Sequence, residues 1–256
     1  ENLLKEATKI AVANKLPADF VVALFGAVSP EDIAPYSAEE VALLAKQSFA
    51  HLATRPPGKA DIQIYNPKPS GTGGGLAAIT VIEIENEDMP FLLDSVSGEL
   101  SEQGISIRLA AHPIFLLERK ENGALEEWRG LAKDGKKTRR ESFIHIHADR
   151  VDESHHAKIA AALRITLDDV RTAVSDWPAM LEYADEVIDG LQKKTHPLPE
   201  EDLEEAVAFM KWLRGGQFTF LGCRDNVVMG SGDDISLEPL YETGLGVLRR
   251  KDIRVL

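Results

Sequence analysis

The stretch Ile79–Arg119 decides the fold of this chain, and it reads ITVIEIENEDMPFLLDSVSGELSEQGISIRLAAHPIFLLER. Apolar residues alternate over Ile79–Glu85 and again over Ile105–Glu118, which is typical of half-buried strands. Between them, Phe91–Gln103 has the three-to-four-residue spacing of an amphipathic helix, and Gly104 follows as a residue that ends helices. The stretch therefore predicts a local β-α-β unit.

The turn between the first strand and the helix is the sharpest candidate site. Asn86 and Asp88 are residue types that cap helices, and Pro90 suits a first helical turn. Backbone amides at a helix N-terminus favour an anion such as a carboxylate. Two interpretations remain open: these amides bind the carboxylate of a small molecule, or Asn86 or Asp88 caps the helix and occupies them.

The chain before this stretch divides into two parts. Residues 1–67 are predicted to form a helical segment with one strand, and one of its helices begins at Ser37, because Glu40 completes a capping box. Residues 68–75 form a Gly/Pro-rich linker. The glycines of this linker do not indicate a nucleotide-binding loop, since a strand follows them where such a loop requires a helix.

Beyond the stretch the same pattern continues. Ser142–Ala148 is a further strand, and a long helical pattern begins at Ser154, which Pro178 should kink or break. After another helix, Phe218–Cys223 is a candidate fourth strand. The predicted class is α+β, with a ferredoxin-like βαββαβ domain over residues 76–223 that carries an enlarged helical insertion. Residues 224–256 then begin a following β-rich unit.

Composition narrows the classes of function. A net charge of −13 argues against nucleic acid as a partner, and no apolar stretch is long enough to span a membrane. The single Cys223 excludes an internal disulfide and is typical of a cytoplasmic protein. Basic residues cluster next to one predicted strand, in a glycine-containing turn that we interpret as a solvated hairpin tip: Lys133, Lys136, Lys137, Arg139 and Arg140.

Few side chains indicate chemistry. His145 and His147 lie two apart on a strand and so point to one face, where they could begin a metal site. We favour structural histidines on a polar outer face or a subunit interface. Cys223 has no base near it in the sequence, and a small apolar role is the simpler interpretation. The sequence therefore predicts no catalytic residue, no cofactor site and no metal site.

Four blocks of sequence resemble one family in the correct order. They are ENEDMPFLLDSVSGELSEQGISIRLAAHPIF, ESFIHIHADR, MKWLRGGQFTFLGCRD and ETGLGVLRR. They resemble the N-terminal, ACT-containing regulatory region of the large bacterial NAD-specific glutamate dehydrogenases. The resemblance implies that the parent enzyme deaminates L-glutamate to 2-oxoglutarate and ammonium with NAD. It also implies that the catalytic domain lies downstream of Leu256, so that this chain is a piece of a longer protein.

ACT-type modules sense small molecules, usually amino acids, and the resemblance therefore implies an effector site. Backbone amides around Met89, Pro90, Phe91 and Leu92 would bind the effector carboxylate, and Asn86 or Asp88 would hold its ammonium group. Such modules often have glycine directly after the turn proline, whereas this chain has Phe91. The resemblance further implies self-association through the sheets, contact with the downstream catalytic domain, and a following unit at 224–256 that is ACT-like. A purely structural assembly module without ligand is the alternative.

Overall fold

A computed structural model describes residues 2–68, 74–132, 140–193, 199–231 and 234–253. The chain is a mixture of helices and antiparallel strands, as the predicted α+β class requires. The helices are α1 Asn2–Ala13, α2 Phe20–Phe25, α3 Pro30–Ile33, α4 Ala38–His51, α5 Leu92–Glu102, α6 Glu153–Lys193 and α7 Glu200–Trp212. The strands are β1 Asp61–Tyr65, β2 Ile79–Glu87, β3 Ile107–Ala111, β4 Ile114–Arg119, β5 Leu125–Leu131, β6 Arg140–Asp149, β7 Gly222–Cys223, β8 Asn226–Met229, β9 Ser236–Pro239 and β10 Leu245–Gly246.

Two sequence-based predictions fall largely outside the described residues. Only the ends of the linker 68–75 are described, and of the basic cluster only Arg140 is described.

The main sheet is antiparallel throughout and has the order β1-β2-β6-β4-β5, with β3 also pairing with β6. Strands β2 and β6 form its centre and pair without a bulge from Ile79 opposite Asp149 to Glu87 opposite Glu141. Because side chains alternate across a strand, this register places Glu83 and His145 on one face of the sheet. Ile82 and Ile146 lie on the other face.

Both faces of the sheet are buried, so this part of the chain has three layers. Helices α1, α2 and α4 pack together, and their apolar side chains form one core with the Glu83 face of the sheet. The largest fully buried side chains of that core are Phe20, Leu24, Phe25, Leu44, Phe115 and Phe143. On the opposite face Ile82 and Ile146 are fully buried, and α5 and α6 supply buried Leu92, Val96, Leu100, Ile159 and Leu163.

The capping box predicted at Ser37 is confirmed. The Glu40 amide donates to Ser37 Oγ at 3.2 Å, and the Ser37 amide donates to Glu40 Oε2 at 2.9 Å. The two bonds satisfy two amides that the start of α4 would otherwise leave unpaired. They fix the first turn of the helix that lies over the polar centre of the sheet.

The predicted fourth strand, Phe218–Cys223, is wrong as a member of this sheet. Of these residues only Gly222–Cys223 form a strand, and they pair with Leu245–Gly246. In the ferredoxin-like order the fourth strand would lie beside the first, and here that place next to β2 is taken by β1, from the segment before the linker. A local pattern cannot reveal this exchange, because β1 reaches its position through a non-local pairing.

Two element boundaries also differ from the predictions. The strand predicted over Ile105–Glu118 is interrupted at His112-Pro113, because Pro113 has no amide to donate to the ladder, although β3 and β4 pair with β6 in one register. Conversely, Pro178 does not break the long helix, which runs unbroken as α6. Its buried stripe continues past the proline with Met180, Ala184 and Ile188, so packing on both sides outweighs the one lost hydrogen bond.

The chain divides into two compact units, Glu1–Leu167 and Asp168–Leu256. This division differs from the predicted one, because the N-terminal helices share a core with the sheet. The second unit contains the β8–β9 hairpin, with exposed Val228 and Leu237. No helix in the described part of the chain has both the length and the apolar character to cross a membrane.

Candidate functional site

The predicted turn lies between β2 and α5. Phe91 is the N-cap residue of α5 and adopts a left-handed backbone with φ of 69°, and 40% of its surface is exposed. That conformation costs a residue with a side chain about 1–2 kcal/mol. The helix begins only at Leu92, so the placement of Pro90 in the first helical turn is wrong. The left-handed residue forms the corner instead.

The polar side chain nearest to the start of α5, Asp88, contacts the neighbouring strand. Asp88 Oδ2 accepts a hydrogen bond from Arg140 Nε at 2.9 Å, and the Asp88 amide donates to the Arg140 carbonyl at 3.2 Å. Asn86 is 1% exposed and belongs to β2, where it lies opposite Ser142. Among the described side chains, none caps α5 through its N-cap position. Asp88 therefore pairs across the sheet.

The turn combines the start of a helix with an acidic side chain. The first amides of an α-helix have no intrahelical acceptor and attract negative charge. The Asp88 carboxylate is partly exposed and lies three residues before Phe91. Met89 is half-buried, and Leu92 is buried.

A second polar cluster lies in the core between α4 and the sheet. A continuous line of hydrogen bonds runs from Asp61 through His51, Glu83, His145 and His147 to Tyr36, with heavy-atom distances of 3.1, 3.1, 2.9, 2.8 and 2.8 Å. Ser48 Oγ also donates to Glu83, at 2.5 Å. The three histidines and Glu83 are at most 3% exposed. This line of residues is called the histidine chain below.

The geometry of the histidine chain determines which of its side chains are protonated. Both ring nitrogens of His51 face carboxylates, so both must donate and the ring is cationic. Burial lowers the pKa of His51, but its hydrogen bonds to Asp61 and Glu83 outweigh burial and raise the pKa to about 9. Burial raises the pKa of Glu83, yet hydrogen bonds from His145 and His51 outweigh it and lower the pKa to about 2. Glu83 is therefore a buried carboxylate.

His145 and His147 share one proton in the hydrogen bond between their Nε2 atoms. His145 Nε2 lies 2.8 Å from His147 Nε2, so one nitrogen must donate and the other accept. Burial, and then the neighbouring His145, hold the pKa of His147 well below its usual range. The prediction that this face is a polar outer surface is wrong, because α4 and Tyr36 cover it. In the described ranges, no three His, Cys, Asp or Glu side chains are grouped to hold a metal ion.

A third cluster joins two carboxyl and two guanidinium side chains at the end of the same face. Glu141 accepts from Arg55 at 3.0 Å and from Arg119 at 2.9 Å, and Arg119 also donates to Glu85. All four are buried. Burial, together with the contact to Glu141, raises the pKa of Glu85 to about 8. The cluster joins the end of α4 to the sheet, and we assign it a structural role.

An open groove of about 960 Å³ runs along the outer edge of β1 beside α4. Its lining is mixed, with Leu43, Gln47 and Ala50 from α4 and Ile62, Ile64 and Tyr65 from β1. Gln47 Oε1 is a buried oxygen without a hydrogen-bond partner in the described part of the chain. The groove is large enough for a ligand or an extended segment.

The sequence identified His145 and His147 as neighbours but missed their partners. Ser48 and His51 come from α4, and Ser48 lies 97 residues before His145 in the chain. Tyr36 comes from the turn before α4, 111 residues before His147. The available signal was the spacing of Ser48 and His51, which places both on one face of α4 with Leu44. Cys223 is half-buried, and burial followed by Asp225 and Asp176 raises the pKa of its thiol.

Comparison with known proteins adds three findings. A family model described as "Glutamate dehydrogenase, ACT1 domain" matches residues 20–163. The NAD-specific glutamate dehydrogenase of Pseudomonas aeruginosa is 31% identical over 176 residues, which cover 68% of this chain and 11% of that protein. The NAD-specific glutamate dehydrogenase of Halomonas elongata is 29% identical over 233 residues, which cover 90% of this chain and 14% of that protein. The chain thus spans about a tenth to a seventh of the length of these relatives.

Proposed function

The chain belongs to the family of the glutamate dehydrogenase ACT1 domain, and we propose that it is a non-catalytic regulatory segment of an NAD-specific glutamate dehydrogenase that senses an amino acid. The matched region, residues 20–163, contains the whole main sheet, helices α2 to α5 and the turn before α5. It also contains the start of α6. The parent reaction, conversion of L-glutamate, NAD and water to 2-oxoglutarate, ammonium and NADH, would be carried out by another part of a longer chain in the cytoplasm. NAD would bind there.

One observation carries the proposal of an effector site: the N-cap residue of α5, Phe91, has a left-handed backbone and its side chain provides no cap. Left-handed residues other than glycine persist only where the surrounding structure holds them, and they concentrate at ligand-binding positions. Phe91 forms the corner that leads into the first turn of α5. We place the effector carboxylate at the amides of Leu92 and its neighbours, and the ammonium group at Asp88.

Regulation then follows from differential binding. An effector changes the equilibrium between two conformations or assemblies only by the difference in its affinity for them, which is typically about 1–3 kcal/mol. Asp88 is suited to this role because Arg140 holds it from β6, the strand next to β2. A ligand that competes with Arg140 for Asp88 would alter the pairing at that end of the sheet. The signal would pass through β6 to the histidine chain.

A thermal-shift screen tests the effector proposal. The 256-residue chain would be melted with each of the twenty amino acids, with 2-oxoglutarate and with NAD. A ligand that binds only the folded state stabilises it by about 2.7 kcal/mol at a hundredfold excess over its dissociation constant. We expect one amino acid, or a small chemical class of them, to raise the melting temperature. Neither NAD nor 2-oxoglutarate should do so.

The matched variants are Asp88→Asn and Asp149→Asn. Each removes one carboxylate from a partly exposed ion pair, with Arg140 and with Arg108 respectively. Such pairs contribute about 0–1 kcal/mol to stability, so both variants should fold. Only Asp88→Asn should abolish the ligand-induced shift. Equal responses of both variants would place the effector elsewhere.

The second candidate function is an assembly module without ligand. The specific observation in its favour is the Phe91 ring, which stands where ligand-binding modules of this type often have glycine and could occupy the site itself. Under this alternative no amino acid raises the melting temperature. The melting temperature would instead rise with protein concentration, because association stabilises the folded state by mass action.

A further inference from the structure

The outer edge of β1 is an open sheet edge, and it lacks the usual defences against pairing. Among the described strands, none pairs with β1 on the side away from β2. Its five residues, Asp61–Tyr65, pair with β2 without a bulge. The strand contains neither proline nor lysine, which natural edge strands use to prevent association.

The opposite edge of the sheet shows the contrast. Strand β5 is irregular, with two register shifts in its pairing with β4. It exposes Glu126, Glu127 and Arg129. Bulges and charges of this kind protect an edge from pairing. The two edges of the sheet therefore differ: β5 is protected against pairing, whereas β1 is open.

The sequence of β1 is complementary to itself under a two-fold axis. If two copies pair antiparallel around Gln63, Ile62 lies opposite Ile64 of the second copy, and Asp61 lies opposite Tyr65. Cross-strand apolar pairs of this type stabilise antiparallel sheets. Gln63 is exposed and lies on the Glu83 face, the one covered by α4. The groove beside β1 lies between this strand and α4, so the side chains of a second strand would have a cavity to enter.

The distribution of charge also favours association of two copies at the β1 edge. The chain carries a net charge of −13, which opposes association between copies in general. On β1 the only charged side chain is Asp61, and it is paired with the buried His51 at 3.1 Å. The single charge of this strand is thus bound within its own chain. In addition, the Gln47 oxygen in the groove, which has no partner among the described residues, is an acceptor for an incoming N–H or amide group.

We propose that β1 is the contact between two copies of this chain, which pair antiparallel about a two-fold axis at Gln63 and join their main sheets into one. This inference deepens the assembly role in the proposed function and rests on it. A two-fold contact uses the same surface on both copies, as the self-complementary strand requires. Main-chain hydrogen bonds would hold the pair together, and the groove would set its register.

Sedimentation equilibrium of the 256-residue chain tests the contact. The variant Gln63→Lys places two like charges opposite each other at the axis, while its exposed position leaves the fold intact. We expect its dimer dissociation constant to rise by about tenfold or more. The control Glu126→Gln makes the same +1 change in net charge on the other edge, and it should leave the dissociation constant unchanged. Circular dichroism establishes that both variants fold.

Cross-linking provides an independent measurement. In a Cys223→Ser background, Gln63→Cys should form a disulfide-linked dimer under mild oxidation, since directly opposed residues bring their Cβ atoms to about 4.5–5.5 Å. Glu127→Cys on β5 should remain monomeric. If Gln63→Lys leaves the dimer dissociation constant unchanged and no cross-link forms at position 63, the β1 contact is overturned. Assembly would then use another surface. A chain that stays monomeric at high concentration would overturn both the contact and the assembly role, without bearing on effector binding.

Discussion

At the scale of single residues, His51 has the largest consequence for stability. It lies between Asp61 and Glu83 with 3% of its surface exposed, and both contacts require its positive charge. Removing one partner from a buried ion pair leaves the other charge uncompensated, which costs far more than the pair contributes as a whole. The histidine chain therefore makes the contact between α4 and the sheet specific.

We predict that His51→Gln lowers the free energy of unfolding by about 3–5 kcal/mol at about pH 6, as measured by urea denaturation. The pKa of His51 is raised from 6.5 to about 9 in the folded state, so its contribution is complete below pH 6.5 and is lost as pH rises through 9. The difference from the unaltered chain should accordingly shrink at about pH 10. The exposed His155→Gln is the control and should cost less than about 0.5 kcal/mol.

The pKa of Glu83 predicts how the free energy of unfolding changes at low pH. Its pKa is lowered from 4.5 to about 2 in the folded state, so the stability that it contributes is present above pH 4.5 and is lost as pH falls through 2. Together the two residues predict a plateau of stability between about pH 4.5 and 6.5. Stability that rises steadily from pH 6.5 to 9 would contradict the assigned protonation of the histidine chain.

The left-handed backbone of Phe91 predicts that glycine is a more stable replacement than alanine at this position. At a left-handed position glycine is unstrained and alanine is not, so Phe91→Gly should be more stable than Phe91→Ala by about 1 kcal/mol in chemical denaturation. Both variants lose the same ring contacts, and the difference therefore isolates the backbone. Alanine equal to or better than glycine here would mean that the corner before α5 is not left-handed in solution.

At the scale of secondary-structure elements, the same comparison has the opposite sign inside α5. Gly98 lies in the helix interior and is exposed, and a Cβ atom added there would meet no heavy atom of the described residues within 4 Å. We predict that Gly98→Ala raises the free energy of unfolding by about 0.5–1 kcal/mol, because alanine loses less backbone entropy in a helix. Chemical denaturation measures the change. A destabilised variant would indicate that the outer face of α5 packs against another surface.

The elements also show how far the sequence could be interpreted. Local signals were sufficient for the start of α4 at Ser37, for β2 and for most of α5, since capping residues and apolar spacing act within a few residues. They were insufficient for the placement of β1 beside β2 and for the burial of His145 and His147. The placement of β1 and the burial of the two histidines depend on contacts between residues that are far apart in the chain. A short segment of sequence does not contain both partners of such a contact. Pro178 shows the same limit, because tertiary packing maintains α6 through it.

The turn before α5 was the part of the candidate site that the sequence could predict. Its position between β2 and α5 is confirmed, but the role of its residues differs from expectation. Asp88 pairs with Arg140 across the sheet, and Phe91 forms the corner that Pro90 was expected to lead into. These outcomes depend on a partner from β6 and on a backbone conformation that phenylalanine rarely adopts. Neither can be read from the turn alone.

At the scale of the whole molecule, three roles belong to three parts of the chain. The main sheet with its N-terminal helices is the scaffold, the turn before α5 is the proposed effector site, and the β1 edge is the proposed contact between copies. The two proposed sites lie in the unit Glu1–Leu167. Effector binding and self-association can therefore be measured independently on one chain, with variants at Asp88 and at Gln63.

The central claim is that an amino acid binds at the start of α5, and amide NMR of the uniformly ¹⁵N-labelled chain tests it most directly. On titration with the amino acid found by thermal shift, the largest chemical-shift changes should be at the amides of Met89, Phe91, Leu92 and Leu93. They should disappear in Asp88→Asn. Saturable changes confined to other parts of the chain, or no change with any of the twenty amino acids, would contradict the claim.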